Sequence, residues 1–273
     1  TDDSVYEGNE TAIISIASIT GANSGSTTSQ TITITENDST PVVTLATSAS
    51  SIAENAGSSL TLTATLSNAT TADVTVTLST SGTGTEGTDY GTISDITISA
   101  GSTTGTASFT PVDDSVYEGN ETGIVAISSV SGGSATEDGT QSVTITITEN
   151  ESSPTVTLTT SATSIAENSG STLTLTATIS QVADEDVIVN LNTAGTSTNG
   201  SDYGTLTRIT VSAGATTGTA NFTPTDDSVY EGNETAIISI SSVSGADASE
   251  SGSQSVTITI VENDSTPVVT LST

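Results

Sequence analysis

The sequence predicts an all-β protein of tandem antiparallel β-sandwiches. Three observations predict it: a period of two in apolar residues over many short runs, the dominance of Thr, Val and Ile in those runs, and a repeat of domain length. Leu60, Leu62, Ala64 and Leu66 alternate with threonine. Val74, Val76 and Leu78 do the same, as do Val143, Ile145 and Ile147. Successive side chains of a strand point to opposite faces, so each run reads as a half-buried strand. Turn sequences such as Ala-Gly-Ser and Glu-Gly-Asn separate the runs. No stretch carries a helical period. About seven short strands in roughly 110 residues fit a sandwich of immunoglobulin-like type.

The repeat sets the domain organisation. Asp-Asp-Ser-Val-Tyr-Glu-Gly-Asn-Glu-Thr begins at Asp2, Asp113 and Asp226, at intervals of 111 and 113 residues. Glu54 and Glu167, Asp89 and Asp202, and Asn37, Asn150 and Asn263 keep the longer step. Residues 40–151 and 153–264 therefore read as two complete repeats. Residues 1–38 read as the C-terminal part of an earlier copy, and 265–273 as the first strand of a later one. The chain is expected to be a piece of a longer polypeptide. Its junctions, such as Ser152-Ser153-Pro154, are too short for flexible linkers.

Composition narrows the function. Of 273 residues, 32 are Asp or Glu and one is Lys or Arg, a net charge of −31. Phosphate backbones and anionic membranes need cationic partners, so nucleic acid and electrostatic membrane adhesion are excluded. No apolar run approaches the length of a membrane-spanning helix. Cys and His are absent, which removes disulfides and the usual ligands of zinc. With no His or Cys, a nucleophile–base pair is hard to assemble, and carboxylates recurring in every copy suit serial sites better than one catalytic centre. The chain is expected not to be an enzyme.

Most of the acids occupy positions that the copies share. In the first complete repeat they are Glu54, Asp89, Asp113, Asp114, Glu118, Glu121, Glu149 and Glu151. Their counterparts are Glu167, Asp202, Asp226, Asp227, Glu231, Glu234, Glu262 and Asp264. The partial first copy contributes Asp2, Asp3, Glu7, Glu10, Glu36 and Asp38. A merely solvated surface needs no such placement. Two carboxylates ~5 Å apart repel by roughly 3 kcal/mol at an effective dielectric of about 20. Ca²⁺ removes that repulsion, because it accepts six to eight oxygens in flexible geometry. More than one ion per complete repeat is expected. Tyr6, Tyr90, Tyr117, Tyr203 and Tyr230 are expected to pack in cores or loops.

These residues resemble the Calx-β domain family. The likeness lies in Ser-Ile-Ala-Glu-Asn (51–55 and 164–168), Gly-Thr-Asp-Tyr (87–90), Gly-Ser-Asp-Tyr (200–203), the Asp-Asp-Ser-Val-Tyr-Glu-Gly-Asn-Glu signature and the closing Glu-Asn-Asp or Glu-Asn-Glu. It covers the chain in register. The resemblance implies an immunoglobulin-like sandwich with calcium sites clustered at one end, near the exit of the last strand. It implies Glu54, Asp89, Asp113, Asp114, Glu118 and Glu121 as ligands, the Val116 carbonyl beside them, and Glu149 and Glu151 as the closing acidic tail. The same positions are Val5 in the first copy and Val229 in the third. The family's tail is often a run of Asp, whereas here Asn150 separates two Glu.

The expected function is a calcium-binding structural repeat array: a stiff extracellular stalk or filament at a bacterial cell surface. The competing readings are a calcium-dependent adhesive module for glycan or protein, and a calcium sensor. Expected partners are Ca²⁺, neighbouring repeats and other copies of the chain. Thr266 to Leu271 repeats the strand sequence of Thr40 to Leu45, and strand donation through it predicts head-to-tail polymers.

Overall fold

The structure is a computed structural model and describes residues 2–272. Every regular element in it is a strand. The chain divides into two compact units: Thr1–Asp113 with Asn120–Thr148, and Asp114–Gly119 with Glu149–Thr273. A six-residue piece of the acidic loop thus belongs with the second unit.

The first unit opens with β1 (Val5–Tyr6), β2 (Glu10–Ser15) and β3 (Ser29–Ile34). β2 and β3 form an antiparallel pair. There follow β4 (Val42–Thr47), β5 (Ser51–Ala53), β6 (Leu60–Leu66), β7 (Ala69–Thr70), β8 (Val74–Gly82), β9 (Ile96–Ile98), β10 (Thr104–Phe109), β11 (Glu121–Ser131), β12 (Thr136–Glu137) and β13 (Ser142–Thr148). One sheet has the order β10-β6-β4-β12 and the other β5-β13-β11-β8-β9. β7 lies outside both and pairs with β1 in parallel.

The second unit repeats this plan with β14 (Thr155–Thr160), β15 (Ser164–Ala166), β16 (Leu173–Ile179), β17 (Val187–Gly195), β18 (Arg208–Val211), β19 (Thr217–Phe222), β20 (Glu234–Ser244), β21 (Ser249–Glu250) and β22 (Ser255–Val261). Its sheets are β19-β16-β14-β21 and β15-β22-β20-β17-β18.

The apolar alternation closes the sandwich. Leu62, Ala64 and Leu66 of β6 are buried together with Val74 and Val76 of β8 and Ile145 and Ile147 of β13. The corresponding residues of β16, β17 and β22 build the second core. Aromatic residues are few, and each core spends one pair of them at its centre. Tyr90 stacks on Phe109, and Tyr203 on Phe222, each with ring centroids 4.6 Å apart.

Two features refine the expected antiparallel sandwich. Each pair of sheets has nine strands, because β5, β9 and β12 are only two or three residues long and too short to show alternation. Two of these short edges, β5 and β12, pair in parallel with β13 and β4. The Ser-Ile-Ala-Glu-Asn sequence is β5 and the residues after it, and this edge pairing carries Glu54 to the end of β13. Residues 265–272 form no strand, and Val268, Val269 and Leu271 stand 84%, 96% and 96% exposed. A strand like β4 is held by ladders on both sides, to β6 and β12.

Candidate metal centre

The acidic loop is shaped by its own side chains. Asp227 Oδ1 accepts the Val229 N–H at 2.6 Å, and Asp114 and Asp3 bind Val116 and Val5 in the same way. These Asx turns bend the chain back. Gly232 follows at φ 76°, a left-handed conformation that glycine adopts without strain. The turn delivers two backbone N–H groups to one carboxylate. Glu262 Oε2 accepts from Glu231 at 2.6 Å and Gly232 at 2.8 Å. Its Oε1 accepts from Asn263 at 2.8 Å and Asp264 at 2.7 Å. Asn233 Oδ1 returns the grip, accepting the Glu262 N–H at 3.1 Å.

Glu262 is thus a clamp between the loop and the end of β22. Four backbone donors, led by Asp264 and Glu231, hold its carboxyl down at about 2. Glu36 clamps the first copy through Glu7, Gly8, Asn37 and Asp38, and is also held at about 2. Glu149 binds Glu118, Gly119, Asn150 and Glu151. Burial works against its ionisation, but the hydrogen bonds outweigh burial and the carboxyl lies below its ordinary range.

Around the Glu262 clamp, two trios of carboxylates gather in the second unit. Glu167, Asp227 and Asp264 form one, and Asp202, Glu231 and Glu234 the other. Within each trio, one oxygen per residue lies within 4.8 Å of the others. Each member arrives on a different piece of local structure. Glu167 follows β15, Asp264 follows β22, and Glu234 opens β20. Asp202 ends a tight turn in which its Oδ2 accepts the Thr198 N–H at 2.6 Å. Glu167, Asp202, Glu231 and Glu234 line one small pocket.

The electrostatics show crowding. Burial, then the charges of Asp202 and Glu231, push Glu234 up to about 7. Burial also raises Glu167, reinforced by Glu262, Asp227 and Asp264. Glu231 and Asp264 are raised by burial first and by neighbouring carboxylates second. Asp264 Oδ2 is buried and accepts no hydrogen bond among the described residues. A buried carboxylate oxygen without a donor is costly. The donor set is carboxylate oxygen throughout. These residues fit a hard divalent cation and offer nothing to a thiophilic one.

In the first copy, Asp2, Asp3, Val5, Glu7, Glu10, Glu36 and Asp38 all line one pocket. There the charge of Glu10, followed by burial, raises Glu7. The middle set is divided between the units: Glu54, Asp89, Asp113 and Glu121 belong to the first, and Asp114, Val116, Glu118, Glu149 and Glu151 to the second. Glu54 and Asp89 are 6% and 8% exposed. Asp226 and Val229 stand outside the trios of the third set, and Glu262 serves as their clamp. Sequence reasoning missed the clamp and its partners Asn9 and Asn233. The signal was present, because Gly-Asn-Glu recurs in every signature.

Opposite shifts give a pH dependence to the metal-free protein. Glu234 lies above its ordinary 4.5. Its contribution to stability is full below 4.5 and is lost as pH rises through about 7. Glu262 and Glu36 lie below 4.5, so their contribution is present above that value and is lost as pH falls through about 2. Chelated protein is expected to melt highest near pH ~5 and lower at both pH 8 and pH 2.5. Thermal melts across this range check the sign. A midpoint that climbs steadily from pH 5 to pH 8 would contradict the crowding.

Fold and site together define an all-β sandwich protein with carboxylate trios gathered between an acidic loop and the end of the last strand. The Calx-beta domain model matches residues 1–38 and 149–264, and the chain belongs to that family. A model of the LapA domain matches residues 38–150. No curated protein matches the sequence. Among solved structures, CBD12 from CALX1.2 is 15% identical, with 80% of this chain and 99% of that chain covered and a TM-score of 0.35. The Yersinia pseudotuberculosis adhesin InvE is 15% identical, with 80% and 58% covered and a TM-score of 0.38. The calcium binding domain CBD12 of CALX1.1 is 14% identical, with 71% and 77% covered and a TM-score of 0.32.

Proposed function

We propose that the chain is a calcium-binding array of structural repeats, 40–151 and 153–264 with parts of a third and fourth at 1–38 and 265–273, serving as an extracellular stalk or filament of a bacterial surface. The observation that carries this reading is the pair of carboxylate trios in the second unit, with the buried, unbonded Asp264 Oδ2 in one of them. Glu167, Asp227 and Asp264 would hold one ion, and Asp202, Glu231 and Glu234 another. A bound divalent cation supplies the positive charge that the sequence lacks.

The chain's own groups do the rest. Glu262 fixes the acidic loop to the end of β22, so the ligands are held close before any ion arrives. The Asx turn at Asp227 sets the loop's bend. Repulsion within each trio is the energy that binding releases, and binding to the folded state alone stabilises it. Repetition of the same carboxylates in each copy suits a structural role better than a catalytic one. Strand donation through Thr266 to Leu271 remains the proposed route to head-to-tail polymers.

Calorimetric titration with Ca²⁺ is expected to show binding with more than one ion per complete repeat. Small-angle scattering of the whole chain is expected to report a longer, stiffer particle with Ca²⁺ than with chelator. Absence of heat at millimolar Ca²⁺ would end the calcium reading. Unchanged maximum dimension and flexibility would end the stalk mechanism.

A further inference from the structure

The acidic loop also carries a Val-Tyr pair whose contacts lie apart from the carboxylate trios. In the second unit, the Tyr117 N–H donates to the Val182 carbonyl at 2.8 Å, and the Tyr117 carbonyl accepts from the Asp184 N–H at 3.3 Å. These bonds make one rung of a parallel ladder, Tyr117 beside Ala183. Tyr117 is 9% exposed and belongs to the second core. Its hydroxyl donates to Asp247 Oδ2 at 3.0 Å. Tyr117 lies in the signature of repeat 40–151, yet its hydrogen-bond partners Val182, Asp184 and Asp247 belong to repeat 153–264.

The first unit contains the same backbone pairing. Val5 and Tyr6 pair in parallel with Ala69 and Thr70. Ala69 and Thr70 stand 113 residues before Val182 and Ala183, at the same point of the repeat. One sequence, Ser-Val-Tyr-Glu-Gly, therefore builds one bridge twice, each time onto the connection between the strands equivalent to β6 and β8 of the repeat that follows. The third copy is different. Val229 is 57% exposed and Tyr230 42% exposed.

We propose that the Val-Tyr pair of each acidic loop is a clasp that closes on the next repeat, and that Val229–Tyr230 is an open clasp whose partner is the connecting segment of a further copy of this repeat. The partner needs a short stretch of extended backbone with free N–H and C=O groups, and beside it an apolar recess for a phenol ring. Ala69–Thr70 and Val182–Ala183 supply the backbone, and the second core supplies the recess beside Val182–Ala183. In repeat proteins, stability passes between neighbours through such interfaces. The clasp rests on the array reading, but it does not require calcium.

Amide exchange of the whole chain tests it. The Tyr117 and Tyr6 amides are expected to exchange at least about tenfold more slowly than the Tyr230 amide. In a chain lengthened after Thr273 by the sequence of residues 48–151, the Tyr230 amide is expected to slow to the Tyr117 rate. Equal rates at Tyr117 and Tyr230 in the present chain would overturn the proposal. A second measurement does not depend on the added repeat folding. Tyr117→Ala is expected to lower the melting midpoint of the second unit by on the order of 10 °C, whereas Tyr230→Ala leaves both units unchanged. Equal effects of the two substitutions would also overturn it. Calcium titration of Tyr117→Ala separates the two readings: the clasp is lost with ion stoichiometry intact, whereas failure of the calcium reading leaves the Tyr117 effect in place.

Discussion

Adding 1 mM Ca²⁺ to the chelated protein at pH 7.5 is expected to raise its melting midpoint by about 15 °C. A site filled at a hundred times its dissociation constant contributes about 2.7 kcal/mol. Two trios in one repeat contribute about twice that, and a domain of this size gains several degrees per kcal/mol. The gain is large because the folded, metal-free state is poorly arranged for itself. It holds Glu167, Glu231, Glu234 and Asp264 against their ionisation, and Asp264 Oδ2 without a donor. Glu234→Gln discriminates the cause. Without Ca²⁺ the substitution removes a crowded charge, so the variant is expected to melt higher than the parent at pH 7.5. With Ca²⁺ it lacks a ligand and is expected to melt lower. Curves that do not cross would show that Glu234 takes no part in binding.

Phe222→Ala is expected to cost the second unit about 4 kcal/mol. Phe222 is 0% exposed and stacks on Tyr203, itself fully buried. The loss combines transfer of a large ring, the cavity left behind, and a stacking contact worth roughly 1 kcal/mol. A domain has only about 5–15 kcal/mol in hand, so the second unit should sit close to its unfolding threshold. The first unit has its own pair, Tyr90 on Phe109, and is expected to keep its stability. Amide exchange separates the two: β16, β17 and β20 should lose protection while β6, β8 and β11 retain it. Equal loss in both units would show one cooperative core in place of two.

Much of this fold could be read in one dimension. Strands such as β6, β8 and β13 announce themselves through Leu, Val and Ile at every second position, because a sheet with one wet face enforces that period. The repeat gave the candidate ligands without any geometry. Glu54, Asp89, Asp114 and Glu118 stand at fixed distances from their counterparts, and a solvated surface imposes no such spacing. The short edges were not legible. β5 and β12 have three and two residues, and their parallel pairing is decided by the strands they meet, β13 and β4.

The division of labour among the acids was also hidden. Glu262 and Glu234 are both glutamates at repeated positions, and the sequence treats them alike. In the fold, Glu262 meets four N–H groups and is held at about 2, whereas Glu234 meets burial and two carboxylates and rises to about 7. The same holds for the tyrosines. Tyr117 and Tyr230 have identical neighbours in sequence, yet one is 9% exposed and the other 42%. By itself, the sequence determined the all-β class, the repeat and the set of carboxylates, because periodicity and composition are properties of the chain. Tertiary structure alone decided which carboxylates meet each other and which meet backbone donors, and which Val-Tyr pair finds a partner, because these depend on segments dozens of residues apart arriving at one place.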